Sequence, residues 1–228
     1  MSKLFSLDDR LAACASFVRD NTKIADIGTD HAYLPVWLAK QGRIKGAIAA
    51  DIRPMPLERG AENIRKYQCE DIVTTRQSDG LKEISPEEVD DVIIAGMGAE
   101  LIVDIINNAK WLKKGDRRLI LQPMTKAHIL RKYLVENGFE ILSEKACKHG
   151  GKNYSVIFAF YSGEIKDYST TFQYIGKLDN NDSLAVEYIE QVLKKLAYKS
   201  KGKKHSGEDS SDIDNIIDEI KRQFVKEQ

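Results

Sequence analysis

The sequence predicts an α/β protein with a seven-stranded, mostly parallel sheet, followed by a small helical region. Three observations support this prediction. Short apolar runs alternate with helical patterns through the first five strands. Two further runs, 139–145 and 154–161, have no helical pattern between them, which is typical of an antiparallel hairpin. Later apolar residues recur only at helical spacing. We therefore expect two domains, 1–163 and 164–228.

Length and composition exclude several classes of protein. The chain has 228 residues, 42% of them hydrophobic, which suits one ordinary domain with an appendage. No apolar run approaches the ~18 residues of a membrane-spanning helix. Its three cysteines are widely spaced, so we expect small buried side chains and neither a disulfide framework nor a metal site. We expect a cytoplasmic protein, because charged residues follow the first few positions at once, unlike a signal peptide. The sequence sets no oligomeric state, and a monomer is compatible with it.

Positive charge is concentrated in one part of the chain. The formal net charge is zero, yet residues 110–152 hold 11 basic and 4 acidic residues. This distribution favours a polyanionic partner such as nucleic acid. A solvated lysine surface is the alternative interpretation.

The first elements form a strand, a turn and a helix. Residues 7–20 repeat apolar side chains every three to four positions, which predicts an amphipathic helix. A short buried strand follows and ends at Gly28, which can turn sharply without a Cβ penalty. Thr29 or Asp30 is then expected to cap a helix over Tyr33–Lys40. This arrangement is the ligand-binding corner of a doubly wound α/β domain.

The charges in this turn indicate what it binds. A turn that holds pyrophosphate is rich in glycine and free of carboxylates. This turn has one early glycine and two acids, Asp26 and Asp30. Carboxylates suit a cation, and S-adenosylmethionine carries a sulfonium and an ammonium but no phosphate. The turn therefore favours that cofactor over NAD, with an ordinary strand-to-helix turn as the alternative.

The next two strands supply further candidate cofactor ligands. The second strand, Ile44–Ala50, ends at Asp51, 25 residues after Asp26, where an acid can accept from two ribose hydroxyls. A helix from Pro54 precedes the third strand, 72–76. The loop after it carries Asp79, which can accept from an adenine amine, and Gly80, which admits close approach.

The fourth and fifth strands end in segments that suit a bound ligand. The fourth, Asp91–Ala95, runs into Gly96-Met97-Gly98 and a helix over Ala99–Ala109. Two glycines there predict backbone lying against a ligand, unless the helix start alone requires a positive φ. The fifth strand, Arg118–Leu121, is closed by Gln122-Pro123 and followed by a helix over 125–137. A basic loop over 148–152 is expected to join the two strands of the final hairpin.

The last part of the chain predicts a small, coiled-coil-like helical hairpin. Apolar stripes run through 172–196 and from 213 onward. The polar stretch 199–211 between them is expected to be mobile. Six lysines without an intervening acid gather at the tip of this hairpin: Lys194, Lys195, Lys199, Lys201, Lys203 and Lys204.

These motifs together resemble a known family. The segments ADIGTDHAYLP (25–35), AGMG (95–98) and LILQP (119–123) with NGF (137–139) resemble the bacterial tRNA adenine-22 N1-methyltransferases. The similarity covers about residues 7–162, and that family also has a helical C-terminal appendage. It implies a Rossmann-like class I methyltransferase fold, which the seven strands with a terminal hairpin also describe.

The resemblance implies transfer of a methyl group from S-adenosylmethionine to N1 of an adenine in tRNA, at position 22. It predicts a cofactor site formed by Asp26, Gly28, His31, Asp51, Ile52, Asp79, Gly80, Ala95 and Gly96. The catalytic residues that it predicts are His31, Tyr33 and Met97, with His31 or Tyr33 stacking on the extruded base. The predicted substrate-binding residues are Gly98, Gln122, Pro123, Lys194, Lys195 and Lys199.

Two other functions are compatible with the same motifs. One is a cofactor-binding module without its own chemistry, which uses the helical tail to join a partner. The other is methylation of a small molecule. Transfer of a methyl group to tRNA separates the main hypothesis from both.

Overall fold

The computed structural model describes the backbone of residues 4–226 and the side chains of residues 4–223. The strands are β1 (Thr22–Ile27), β2 (Ile44–Asp51), β3 (Val73–Gln77), β4 (Asp91–Gly98), β5 (Arg118–Thr125), β6 (Phe139–His149) and β7 (Lys152–Tyr161). The helices are α1 (Asp9–Phe17), α2 (Tyr33–Lys40), α3 (Pro54–Lys66), α4 (Ala99–Asn108), α5 (Ala127–Glu136), α6 (Thr170–Ile175), α7 (Ser183–His205) and α8 (Ser211–Lys226).

The seven strands form one sheet in the order β3-β2-β1-β4-β5-β7-β6. Strands β1 to β5 are parallel, whereas β7 runs antiparallel to both β5 and β6. The central strands are mostly apolar, and helices cover both faces of the sheet. The predicted fold class, including the terminal antiparallel hairpin, is confirmed.

The two faces of the sheet have separate cores. On one face, Ile102 of α4 and Leu130 of α5 pack over Ile94 and neighbouring strand residues. On the other face, Cys14 of α1 and Leu38 of α2 pack over the second set of strand side chains. Alternate residues of each strand thus enter opposite cores. All three cysteines are buried and free, as the sequence predicts.

The hairpin is longer than the sequence predicts. Lys148 and His149 end β6, and β7 begins at Lys152, so the predicted basic loop is reduced to Gly150 and Gly151. Both glycines have positive φ, which a two-residue hairpin turn requires. Lys148 is paired with Glu187 of α7, so this edge of the sheet is covered by the helical region.

The helix α7 also extends beyond its predicted end. The prediction of a mobile stretch from Lys199 is wrong, because α7 continues to His205 and α8 begins at Ser211. Polar contacts hold this end, since the Ser200 hydroxyl donates to Asp214 Oδ1 over 2.6 Å. The Lys204 ammonium also lies 2.8 Å from Asp214 Oδ2. The two helices share a small core, to which Ala146 of β6 also contributes.

A buried ion pair joins the helical region to the sheet. Arg131 of α5 and Glu144 of β6 are both fully buried, with 2.8 Å between Arg131 Nη2 and Glu144 Oε2. Arg131 Nη1 also donates to the carbonyl of Tyr174, just before the loop that leads to α7. Burial acts against the charge of Arg131, but the Glu144 carboxylate holds the pKa of the guanidinium above its usual range. These bonds fix where the helical region sits on the sheet.

No helix within residues 4–226 combines the length and the apolar character needed to cross a membrane. Across the same part of the chain, His, Cys, Asp and Glu side chains do not gather in groups of three that could hold a metal ion.

Candidate active site

The turn after β1 lies where three parallel strands end. The backbone N–H groups of Gly28 and Thr29 both donate to the carbonyl of Ala50 at the end of β2, over 2.8 and 2.9 Å. Gly28 has a φ of +73°. A Cβ at this position would lie 2.0 Å from the Met97 terminal methyl group. The structure therefore brings Gly28 and Met97 together, with the Met97 side chain lying over the turn.

Asp26 is the buried acid of this corner. Its side chain is 6% exposed and accepts from the Thr29 hydroxyl over 2.7 Å. Burial raises the pKa of Asp26 to about 6, and the Thr29 hydrogen bond acts in the opposite direction. Among the described side chains, no basic group forms an ion pair with Asp26. A cationic ligand would supply the partner that this carboxylate lacks.

The predicted cap of α2 by Thr29 or Asp30 is wrong. The N-cap residue is Ala32, in the left-handed region with a φ of 52°, and no side chain caps the helix. The Thr29 hydroxyl is used on Asp26, and Asp30 Oδ1 lies 3.4 Å from His31 Nε2. These two side chains therefore contact neighbouring residues and leave the start of α2 uncapped.

Two consecutive residues, His31 and Ala32, adopt positive φ, which costs non-glycine residues free energy. The conformation is held from α3, where Asn63 Nδ2 donates to the His31 carbonyl over 2.9 Å. Gly60 admits Ala32, because a Cβ at Gly60 would lie 3.3 Å from the Ala32 Cβ. Backbone strain of this kind is common at functional sites.

His31 and Tyr33 form a stacked aromatic pair at the mouth of the corner. Their ring centroids are 5.3 Å apart with an interplanar angle of 12°. Phe5 packs edge-on against Tyr33, and Arg59 Nη1 lies 3.5 Å from His31 Nε2. Tyr33 is 37% exposed, so this pair offers a ring surface to a ligand.

The acid at the end of β2 is also buried. Asp51 is 6% exposed, and its Oδ1 accepts from the Arg53 N–H over 2.8 Å. Ile52 is exposed beside it, and its carbonyl accepts from Gln77 Nε2 over 3.0 Å. Asp51 thus ends β2 next to the β1 turn, where the sequence predicts a ribose ligand.

The loop after β3 lies beside α4. Asp79 is exposed and paired with Lys82, and both border a cavity of about 330 Å³ together with Ile105. Gly80 has a φ of +60°, and a Cβ there would lie 3.0 Å from Ile105 Cγ1. The loop thus supplies a hydrogen-bond acceptor, Asp79, and Ile105 of α4 supplies an apolar surface beside it.

The C-terminal end of β4 is held by a buried amide. Gln122 is fully buried, and its Oε1 accepts from the Gly96 N–H over 3.1 Å. Arg10 Nη1 donates to the same oxygen over 3.3 Å, and Arg10 Nη2 to Asp8 Oδ2 over 3.0 Å. Ala95, which precedes Gly96 in β4, is half-buried. Gln122 and Gly96 thus meet in one network.

Sequence reasoning missed Arg10 altogether. It lies on α1, a helix that the sequence predicts only from its apolar stripe. Its guanidinium contacts Gln122 of β5, which is 112 residues away in the sequence. The one readable signal was Asp8, which caps α1 by accepting from the Leu11 N–H and also binds Arg10.

The predicted substrate-binding residues fall into two groups. Pro123, Lys195 and Lys199 line one cavity between β5 and α7. Gly98 lies close to it, because it pairs with Thr125 in the β4–β5 register. Lys194 points elsewhere, with its side chain 81% exposed and 3.8 Å from Glu190. The structure therefore separates Lys194 from its two neighbours.

Comparisons with known proteins agree with this geometry. A family model described as a methyltransferase domain matches residues 7–157. The tRNA (adenine(22)-N(1))-methyltransferase of Bacillus subtilis is 35% identical over 153 residues, which are 67% of this chain and 64% of that protein. The chain thus matches somewhat less than two thirds of this curated relative.

Two solved structures are similar over nearly their whole length. The Bacillus subtilis m1A22 tRNA methyltransferase TrmK has a TM-score of 0.80 at 26% identity, covering 97% of each chain. Mycoplasma capricolum TrmK, solved with S-adenosyl-homocysteine, has a TM-score of 0.78 at 25% identity, covering 97% of this chain and 98% of that one. The resemblance predicted from the sequence motifs is confirmed.

Proposed function

This chain belongs to the methyltransferase-domain family, and we propose that it transfers a methyl group from S-adenosylmethionine to N1 of adenine 22 in tRNA. One observation carries the proposal: the β1 turn combines a buried Asp26 that has no basic partner among the described side chains with a positive-φ glycine, against which the Met97 methyl group lies. The names of the similar proteins supply the substrate and the position.

The residues of the corner fit S-adenosylmethionine. The cofactor carries positive charge, and Asp26 lacks a cationic partner in the described structure. Its ribose has two hydroxyls, and the buried Asp51 is an acceptor at the end of β2. Its adenine suits the loop with Asp79, Gly80 and the apolar Ile105. When bound, the cofactor supplies an electrophilic methyl group.

The chain itself needs to supply alignment more than acid–base chemistry. N1 of adenine has an in-plane lone pair, so no strong base is required. Holding two reactants in the reactive geometry is worth up to several kcal/mol. His31 and Tyr33 offer a stacking surface for the extruded base, whose unstacking costs about a few kcal/mol. Gln122 acts as a positioning residue, because it holds the Gly96 N–H in place.

The helical region is proposed to serve tRNA. Its lysines are mostly exposed, and phosphate contacts of this kind position an RNA without reading its sequence. We keep the division into a methyltransferase domain over 1–163 and a helical domain over 164–228 as part of this proposal. Since the proposed substrate is tRNA, the proposed location is the cytoplasm.

Incubation with methyl-labelled S-adenosylmethionine tests the proposal. Unmodified tRNA and a mixture of small methyl acceptors are offered in separate reactions, and cofactor binding is measured by calorimetry. The proposal predicts cofactor binding and label in the tRNA alone. Cofactor binding without label in tRNA would reject it in favour of a binding module, and label only in the small acceptors would reject it in favour of a small-molecule methyltransferase.

A further inference from the structure

A cavity of about 250 Å³ lies between the end of β5, the start of α5 and one face of α7. Aromatic, amide and basic side chains line it, among them His128, Tyr174, Gln191, Lys195 and Lys199. Ligand pockets in proteins hold about 300–1,000 Å³. The enclosed space therefore suits one ring-sized group, with the rest of a ligand at the mouth.

Basic side chains are concentrated around the cavity. Lys195 and Lys199 lie one turn apart on α7, and Lys126 precedes α5. Burial lowers the pKa of His128, and the charges of Arg131, Lys199 and Lys126 lower it further. No side chain caps the first turn of α5, whose N–H groups favour an anion. Glu100 offsets part of this charge by pairing with Lys126.

The lining also contains aromatic rings and a hydrogen-bond acceptor, neither of which would bind a simple anion. The rings of His128 and Tyr174 stack with centroids 4.9 Å apart and an interplanar angle of 9°. Asn153 Oδ1 is buried without a hydrogen-bond partner. The Asn153 backbone is held by Gln191, which donates to its carbonyl over 2.8 Å and accepts from its N–H over 3.1 Å. A ligand with a flat ring and an N–H donor would satisfy both features.

The cavity lies next to the C-terminal end of β4, which includes the predicted substrate-binding residue Gly98. Pro123 and Thr125 belong to the lining, and in the sheet they pair with Met97 and Gly98. Neighbouring strands are about 4.8 Å apart. A group in the cavity is therefore one strand away from the Gly96–Gly98 segment.

We propose that this cavity binds one nucleotide of the tRNA next to the methylated adenine. Its phosphate is held by Lys195 and Lys199, and its base lies against His128 and Tyr174 beside Asn153 Oδ1. The inference rests on the proposed function, because the nucleotide belongs to the same substrate. A free nucleotide carries the same phosphate and base, and it is the alternative ligand for this cavity.

Two paired variants of the full-length protein test the phosphate contacts. Affinity for an unmodified tRNA transcript is measured at several salt concentrations, beside S-adenosylmethionine binding and thermal unfolding. Lys195→Gln/Lys199→Gln is expected to weaken tRNA binding about tenfold and to reduce the salt slope by about 1. Lys40→Gln/Lys45→Gln removes the same charge from exposed positions on α2 and β2, which neither proposal places against tRNA. This control is expected to stay within about twofold of the wild type.

A second pair of variants tests the ring surface. His128→Ala is expected to weaken tRNA binding about 5- to 100-fold, as for loss of one base–aromatic stack. His128→Phe keeps a flat ring and is expected to recover most of that loss. Both variants should retain cofactor affinity, since His128 lies outside the β1 corner.

The outcomes distinguish a tRNA nucleotide from a free nucleotide as the ligand. They also separate this inference from the proposed methyltransferase function. If both cavity variants bind the transcript like the wild type, the inference is wrong. It is also wrong if AMP binds the cavity at micromolar concentration while tRNA affinity is unaffected by these variants. The wild-type methylation assay judges the proposed function separately: tRNA that binds through the cavity but gains no methyl group supports this inference and contradicts that function.

Discussion

At the scale of single residues, Asp26 is the proposed link between the fold and the cofactor. Its pKa in the folded protein is raised from 3.8 to about 6. Between these values the folded state keeps a proton that the unfolded state has released, so stability falls as the pH rises through this window. The fall amounts to about 3 kcal/mol at most. This loss of stability is compatible with a cofactor site, because the ionised carboxylate is the form that attracts a cation.

We predict that Asp26→Asn is more stable than the wild type above about pH 6, because it carries no buried charge. Its affinity for S-adenosylmethionine should be lower and nearly independent of pH between 5 and 8. Wild-type affinity should instead strengthen as the pH rises through about 6. Calorimetry and chemical denaturation across this pH range measure both effects. Parallel pH dependence in the two proteins would remove Asp26 from the cofactor site.

Gly28 allows a second prediction with a matched control. Gly28 and Gly42 both have positive φ, so replacing either by Ala should cost about 1–2 kcal/mol of stability. A Cβ at Gly28 would collide with Met97, whereas one at Gly42 would meet nothing within 4 Å. We predict that Gly28→Ala weakens cofactor binding at least tenfold and that Gly42→Ala leaves it unchanged. Equal cofactor affinities, measured by calorimetry, would show that no ligand crosses this turn.

The part of the candidate site that could be predicted from the sequence lies in one contiguous segment. Asp26 and Gly28 share one strand-to-turn segment, so their residue types indicated a charged ligand without any knowledge of packing. Arg10 gave no such signal, and neither did His128 and Asn153 of the neighbouring cavity, because tertiary packing brings each of them into place from a separate element. The cap of α2 was mispredicted for a related reason, since Thr29 bonds to buried Asp26 instead of the helix.

At the scale of elements, the ends of the hairpin and of α7 extend beyond what apolar patterns predict. The polar ends of β6 and β7 are ordered by α7, through the Gln191–Asn153 and Lys148–Glu187 contacts. The last turns of α7 are ordered by α8, through Asp214. These contacts join distant segments, so no local pattern contains them.

The Arg131–Glu144 pair gives a prediction at this scale. Arg131→Met leaves the Glu144 carboxylate buried with its guanidinium partner gone, and we expect a loss of about 3–5 kcal/mol in the free energy of unfolding. The double variant Arg131→Met/Glu144→Met removes both charges and should regain much of that loss. Urea unfolding of the two variants provides the comparison. A double variant no more stable than Arg131→Met would mean that the unpaired Glu144 carboxylate is not the cause of the lost stability.

At the scale of the whole molecule, the central question is whether the sheet and the helical region have separate tasks. Most of the helical region forms its own small core, to which the sheet contributes Ala146. We predict that a chain ending at Gly163 still binds S-adenosylmethionine within about tenfold of the wild type but loses most tRNA methylation. Calorimetry and the labelled-methyl assay test the two parts separately. Loss of cofactor binding in a folded truncated chain would make the division at this position wrong.

The position of the transferred methyl group tests the account most directly. The full-length protein is incubated with S-adenosylmethionine and either an unmodified tRNA transcript or the same transcript with adenine 22 replaced by guanine. Nucleoside analysis then measures 1-methyladenosine in each. The account predicts 1-methyladenosine in the first transcript and none in the second. Equal amounts in both transcripts, or none in either despite bound cofactor, would contradict it.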